Sequence, residues 1–141
     1  MLVSGWRLCV IALSIVAWAT TASASPRTDY MLKCMGCHGP EGAEVVGKVP
    51  PLKDSVARYL NVEGGRAYLV KVPGTRQTPL DDERVAKLLN WLLPHFDAAH
   101  MPKDFTPYTG DEVKALRAEP LADVMATRAQ LIKALEEKAS Y

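Results

Sequence analysis

Cys34-Met35-Gly36-Cys37-His38 constrains this chain more than any other stretch of it. Two cysteines separated by two residues and followed at once by histidine read as a covalent c-type haem attachment site. On a helical turn, residues three apart share a face, so both sulfurs meet the two vinyl groups of one porphyrin. His38, next in line, is then set to place an imidazole nitrogen on the iron as the proximal ligand. Gly36 puts no side chain where the turn hugs the macrocycle. The competing readings are a thioredoxin-like dithiol, which asks for a βαβ context, and half of a zinc site, which asks for more ligands nearby. After Cys9 the chain has no cysteine beyond the pair, and it shows no obvious strand-helix-strand frame. One motif implies one haem c.

Residues 1–24 read as an export signal: Arg7 gives a positive start, Leu8 to Ala19 an apolar run, and Ala22-Ser23-Ala24 a small-residue cleavage site. The apolar run is too short to span a bilayer comfortably, so no stable membrane span is expected after cleavage. Cys9 lies inside it and is discarded with it. Export and motif support each other, because two cysteines alone in an oxidising compartment would otherwise pair as a disulfide. The expected location is periplasmic.

Without Arg7 the chain carries 16 basic and 16 acidic residues, so no basic excess exists to neutralise phosphates and nucleic acid is not an expected partner. The charge is uneven. Lys48 to Arg76 holds six basic residues against Asp54 and Glu63, and from Gln77 onward 8 basic residues face 11 acidic ones. The basic stretch is either a docking face for an acidic redox partner or a solvated loop.

Ser25 and Pro26 suit the N-cap and first position of a helix in which Tyr30, Met31 and Cys34 recur at helical spacing. Glycines and prolines make 39–53 a loop. Asp54 or Ser55 is expected to cap a short helix through Leu60, facing Val56, Tyr59 and Leu60 inward. Ala67 to Val72 is ambiguous between helix and strand by period alone. The clearest helix starts at Asp81-Asp82-Glu83, puts Val85, Leu88, Leu89, Leu92 and Leu93 on one face, and is expected to end at Pro94. Trp91 suits core packing or the haem edge. Thr109-Gly110-Asp111-Glu112 starts another helix, and Leu121, Val124, Met125, Leu131, Ile132 and Leu135 mark an amphipathic last one, with Met125 expected in the core.

The pentapeptide, the Pro-x-Leu of Pro50 and Leu52, and the later apolar helix with Trp91 resemble a class I cytochrome c over about residues 28–108. The resemblance implies an all-α fold, a cytochrome c-like helical domain around one covalently attached haem, here with an extra C-terminal amphipathic helix. It inclines 67–72 to helix. The expected domains are a cleaved signal at 1–24, a haem domain at 25–108 and a helical extension at 109–141 packed on it. The resemblance also implies that Tyr30 packs on the terminal helix of the core, and that the Pro50 carbonyl holds the second nitrogen of His38.

Family members take their sixth iron ligand, a methionine, from the loop before that terminal helix. If the Val85–Leu93 helix is terminal, the loop is Pro73 to Pro79, which lacks methionine. The preferred parse makes a later helix terminal and searches Pro94 to Thr109, where Met101-Pro102 offers the ligand and His100 is the runner-up. The implied function is a periplasmic one-electron carrier between a dehydrogenase, or another donor, and a downstream redox partner. It is not an enzyme, though it could be the cytochrome subunit of a dehydrogenase. The alternative is a haem-based ligand-binding or sensing module with a vacant or displaceable sixth position.

Overall fold

The computed structural model describes residues 24–47 and 49–140. The export segment before Ala24, with Arg7 and Cys9, lies outside the described residues, as does Lys48 of the basic stretch.

The first helix, α1 (Pro26–Lys33), begins as its sequence dictates: the Ser25 hydroxyl accepts from the Thr28 amide at 3.2 Å, and proline occupies the first turn. It buries only Asp29 and Tyr30, leaving Met31 and Leu32 exposed. The haem motif follows directly as a single turn, α2 (Met35–His38). Residues 39–47 and 49–53 lie in the expected loop, with one isolated bridge between Val45 and Val49. Gly42 lies flush against the core at φ +67°, where a Cβ would stand 2.7 Å from the Phe96 ring and 3.1 Å from Leu52.

The short helix after the loop is a 3-10 helix, Val56–Asn61, and neither Asp54 nor Ser55 caps it with a side chain. Its orphan donor is met from far away instead: the Ala57 amide donates to Asp97 Oδ2 at 2.8 Å. Val56 and Tyr59 are buried, and Leu60 is partly so. The ambiguous segment is helical, as α3 (Gly65–Lys71), burying Tyr68, Leu69 and Val70. A Cβ on Gly65 would lie 1.9 Å from the Tyr59 carbonyl oxygen, so only glycine fits there. A turn of helix, α4 (Pro73–Arg76), follows.

The central helix is α5 (Asp82–Asp97), capped by Asp81, whose carboxylate accepts from the Arg84 amide at 2.8 Å. It does not stop at Pro94, contrary to the sequence expectation. An interior proline costs about 3 kcal/mol. The residues beyond it offset this: Phe96 is buried against Tyr30, and buried Asp97 holds the Ala57 amide. Burying a phenylalanine contributes about 1.5–3 kcal/mol, and Pro94 faces solvent. A 3-10 turn, Ala98–His100, follows, so the loop before the next helix is shorter than expected.

Two helices complete the chain. α6 (Gly110–Ala118) is capped by Thr109, and α7 (Val124–Ala139) by Asp123, starting three residues later than Leu121. Met125 is 69% exposed and lies outside the core where sequence spacing put it. The first crossing is α1 on α5; α6 packs on α5 and α3, and α7 on the 3-10 helix and α3. The fold is all-helical, with no strand among the described residues.

Candidate functional site

The haem motif closes as one tight turn. The amides of Cys37 and His38 both donate to the Cys34 carbonyl at 3.0 Å, and Gly39 donates to Met35 at 2.8 Å. Both thiols are free, Cys37 exposed and Cys34 half-buried. Burial first, and then the charges of Asp29 and Cys37, push the Cys34 thiol up to about 11. The turn is held at both ends by one side chain, because the Tyr30 hydroxyl donates to the Gly39 carbonyl at 2.6 Å.

His38 is half-buried. Its Nδ1 is fully buried and makes no hydrogen bond of ordinary geometry. Burial lowers the imidazole pKa, and the Pro50 carbonyl, reaching the ring more loosely than in a formed bond, opposes that shift. A buried nitrogen without a partner is costly unless something completes it. With Nδ1 buried, Nε2 is the nitrogen left for a metal. Two thiols on one turn and an imidazole so held are a donor set that fits covalent haem. Three or more His, Cys, Asp or Glu side chains placed to hold a metal ion do not occur among the described residues.

No protein-family model matches the chain. By sequence it is similar to cytochrome c-552 of Thermus thermophilus, 35% identical over 119 residues, which cover 70% of this chain and 91% of that protein. The chain belongs to the monohaem class I cytochrome c family. A second Thermus thermophilus protein of the same name is also 35% identical over 119 residues, with 80% of its length covered. As a member, this chain is an electron-carrying cytochrome with covalent haem c, working with redox partners rather than as an enzyme. No helix among the described residues is long and apolar enough to cross a membrane.

Within this cytochrome, the helix that receives Tyr30 is α5. The Tyr30 ring lies 5.0 Å from Phe96 and 5.9 Å from Trp91, and the Asp29 carboxylate is clasped by Arg84. Helix α1 therefore packs on α5 through both Tyr30 and Asp29. The segment before α5, 72–81, contains no methionine, histidine, cysteine or lysine. Trp91, half-buried, stacks on exposed His95 at 4.4 Å.

Met101 and His100 stand after α5. Met101 is half-buried and lines, with Arg58, Asn61, His100, Leu135 and Lys138, a depression of about 320 Å³ to which no residue of 34–38 contributes. His100 Nδ1 is 2.5 Å from Asp97 Oδ1, and its carbonyl accepts from Asn61 at 2.9 Å. The structure thus sets Cys34, Cys37 and His38 on one turn with the Pro50 carbonyl near the imidazole, while Met101 and His100 line the depression. Sequence reading missed Tyr30 as the tie on Gly39 and Asp97 as the anchor of the 3-10 helix. Nothing local marks either role.

Proposed function

We propose that this cytochrome is an exported, single-haem electron carrier in which Cys34 and Cys37 anchor the ring and His38 binds the iron. The observation that carries the reading is the buried Nδ1 of His38 on the two-thiol turn, with the Pro50 carbonyl near the same ring. The haem, when bound, supplies the one-electron chemistry. The chain's own part is to hold the turn rigid through Tyr30, fix the imidazole plane through Pro50, and shield the ring. The donor is a dehydrogenase or another cytochrome, and the chain acts as a free carrier or as a dehydrogenase's cytochrome subunit. Residues 25–108 form the haem domain and 109–141 an extension packed on it, a division supported by α6 lying on α5 and α3. Residues 1–24 direct export to the periplasm and are removed.

For the sixth position, the sequence offers Met101 first and His100 second. Their place in the depression beside Arg58 and Lys138 favours a second reading, a haem whose sixth position is vacant or displaceable. A reduced-minus-oxidised spectrum and a haem stain on a denaturing gel test the main reading. The Cys34→Ala/Cys37→Ala double variant is expected to lose the stain; a wild-type chain that never stains, when co-expressed with a haem-ligating maturation system, overturns it. Intact mass of periplasmic protein is expected to begin at Ser25.

A further inference from the structure

Two carboxylates are buried among the described residues, and one of them stands on the helix that enters the haem turn. Asp97 serves the Ala57 amide and the His100 ring. Asp29 of α1, 2% exposed, is met by Arg84 of α5, whose Nη2 and Nε both donate to it, Nε to Oδ2 at 3.2 Å. The Arg84 side chain is 32% exposed, so the pair has a dry negative end and a wetter positive one. Stability alone gives little reason for this arrangement. Arg84 lies in the first turn of α5, where the helix dipole disfavours a cation, and burying Asp29 carries a desolvation cost. An apolar contact would join α1 to α5 without either penalty.

The pair lies close to the attachment turn. Helix α1 ends on Cys34, whose amide donates to the carbonyl of Tyr30, the residue after Asp29, at 2.9 Å. Five residues of helix rise only about 7.5 Å. The carboxylate's field reaches the sulfur: after burial, the Asp29 charge is the next cause that pushes the Cys34 thiol up to about 11. In the cytochrome that sulfur carries the ring. Reduction adds one electron, so the ferric form bears one more positive charge than the ferrous form. A negative charge held in low dielectric beside the attachment sulfur therefore favours ferric iron, and a positive one favours ferrous. Exposed charges act more weakly, because solvent and salt screen them.

We infer that the Asp29–Arg84 pair sets the midpoint potential of the haem: Asp29 holds a buried negative charge beside the Cys34 attachment, and Arg84 offsets it so that the ferrous form stays accessible. The inference rests on the cytochrome reading. It is independent of the sixth ligand, because the pair acts through its charge and not through coordination. Asp81, whose Oδ1 accepts from the Arg84 amide at 2.8 Å, is a further acidic group beside Arg84 and is retained in every variant below.

The test is spectroelectrochemical titration of the holoprotein at pH 8 in wild type, Asp29→Asn, Arg84→Gln, the double variant and Arg84→Lys. Arg84→Gln uncovers the buried carboxylate. At a fixed potential it is expected to shift the ferric-to-ferrous ratio about tenfold toward ferric, a fall of about 59 mV for one electron. Asp29→Asn leaves the cation alone and is expected to shift the ratio the opposite way, with the double variant between the two. Arg84→Lys keeps the charge without the fork, so it is expected to hold the wild-type ratio within about twofold while its urea midpoint falls. A clasp that is only structural loosens in every variant, and shifts of one sign that follow the loss of stability would overturn the inference. Unchanged potentials in both Asp29→Asn and Arg84→Gln would do the same. If Arg84→Gln yields no holoprotein, Asp29→Asn against the double variant makes the same comparison, and the double variant must lie on the ferric side. Failure of the cytochrome reading is distinguishable, because a chain without covalent haem gives no stain and no potential to titrate.

Discussion

The hydroxyl of Tyr30 donates to the carbonyl of Gly39 at 2.6 Å, so the helix entering the haem turn also grips the residue that leaves it. The same ring lies on α5 through Phe96 and Trp91. One side chain therefore couples the attachment turn to the central helix. Tyr30→Phe keeps the ring contacts and removes only the hydrogen bond, and is expected to cost about 1 kcal/mol in urea unfolding. Tyr30→Ala removes the packing as well and is expected to cost about 3–5 kcal/mol. If Tyr30→Phe were as damaging as Tyr30→Ala, the ring would not be the larger contributor.

Thiol chemistry of the haem-free chain should separate the two cysteines. Burial and the charges of Asp29 and Cys37 raise the Cys34 pKa from 9.0 to about 11, favouring the protonated thiol in the folded state. At pH 8 its thiolate is then about 100-fold scarcer than in an unfolded chain. Iodoacetamide followed by peptide mass mapping is expected to label exposed Cys37 first. The sign for stability follows: this thiol binds its proton more tightly when folded, so its contribution is full below pH 9 and is lost as pH rises toward 11. Equal labelling at both sites would contradict the burial of Cys34.

Asp97 is 1% exposed and serves two partners, the Ala57 amide and the His100 ring. Asp97→Ala leaves a buried amide unpaired at the start of the 3-10 helix and is expected to cost about 2–3 kcal/mol. Asp97→Asn retains an acceptor oxygen and is expected to cost about half as much. Urea midpoints of the two variants decide it, and equal losses would show that the carboxylate charge, rather than the acceptor, matters.

The sixth position is tested by Met101→Ala and His100→Ala. If Met101 ligates the iron, its alanine variant loses the weak sulfur-to-iron band of the oxidised spectrum and has a lower midpoint potential, because a thioether stabilises ferrous iron. His100→Ala then leaves both unchanged. If only His100→Ala perturbs the spectrum, the iron is bis-histidine. A spectrum insensitive to both, together with ready carbon monoxide binding, favours the vacant position.

The sequence by itself determined the attachment turn, the helix starts at Ser25, Asp81 and Thr109, and the all-helical class. Each depends on spacing or capping within about one turn of chain, where three-residue periodicity and a side-chain oxygen act locally. It also carried the family, through the motif and the Pro-x-Leu. Tertiary structure decided what local chemistry leaves open. Pro94 reads as a stop, yet α5 runs on to Asp97 because Phe96 and Asp97 find partners at Tyr30 and Ala57, far back along the chain. Ala67 to Val72 became helix because Gly65 fits against the Tyr59 carbonyl and its apolar residues face the core. Which helix α1 crosses was likewise decided by the fold, through a contact that joins Asp29 to Arg84 across 55 residues of sequence. Arg117 of α6, which donates to the carbonyls of Arg76, Thr78 and Leu80, is of the same kind: a guanidinium signals nothing about its acceptors until folding brings them together.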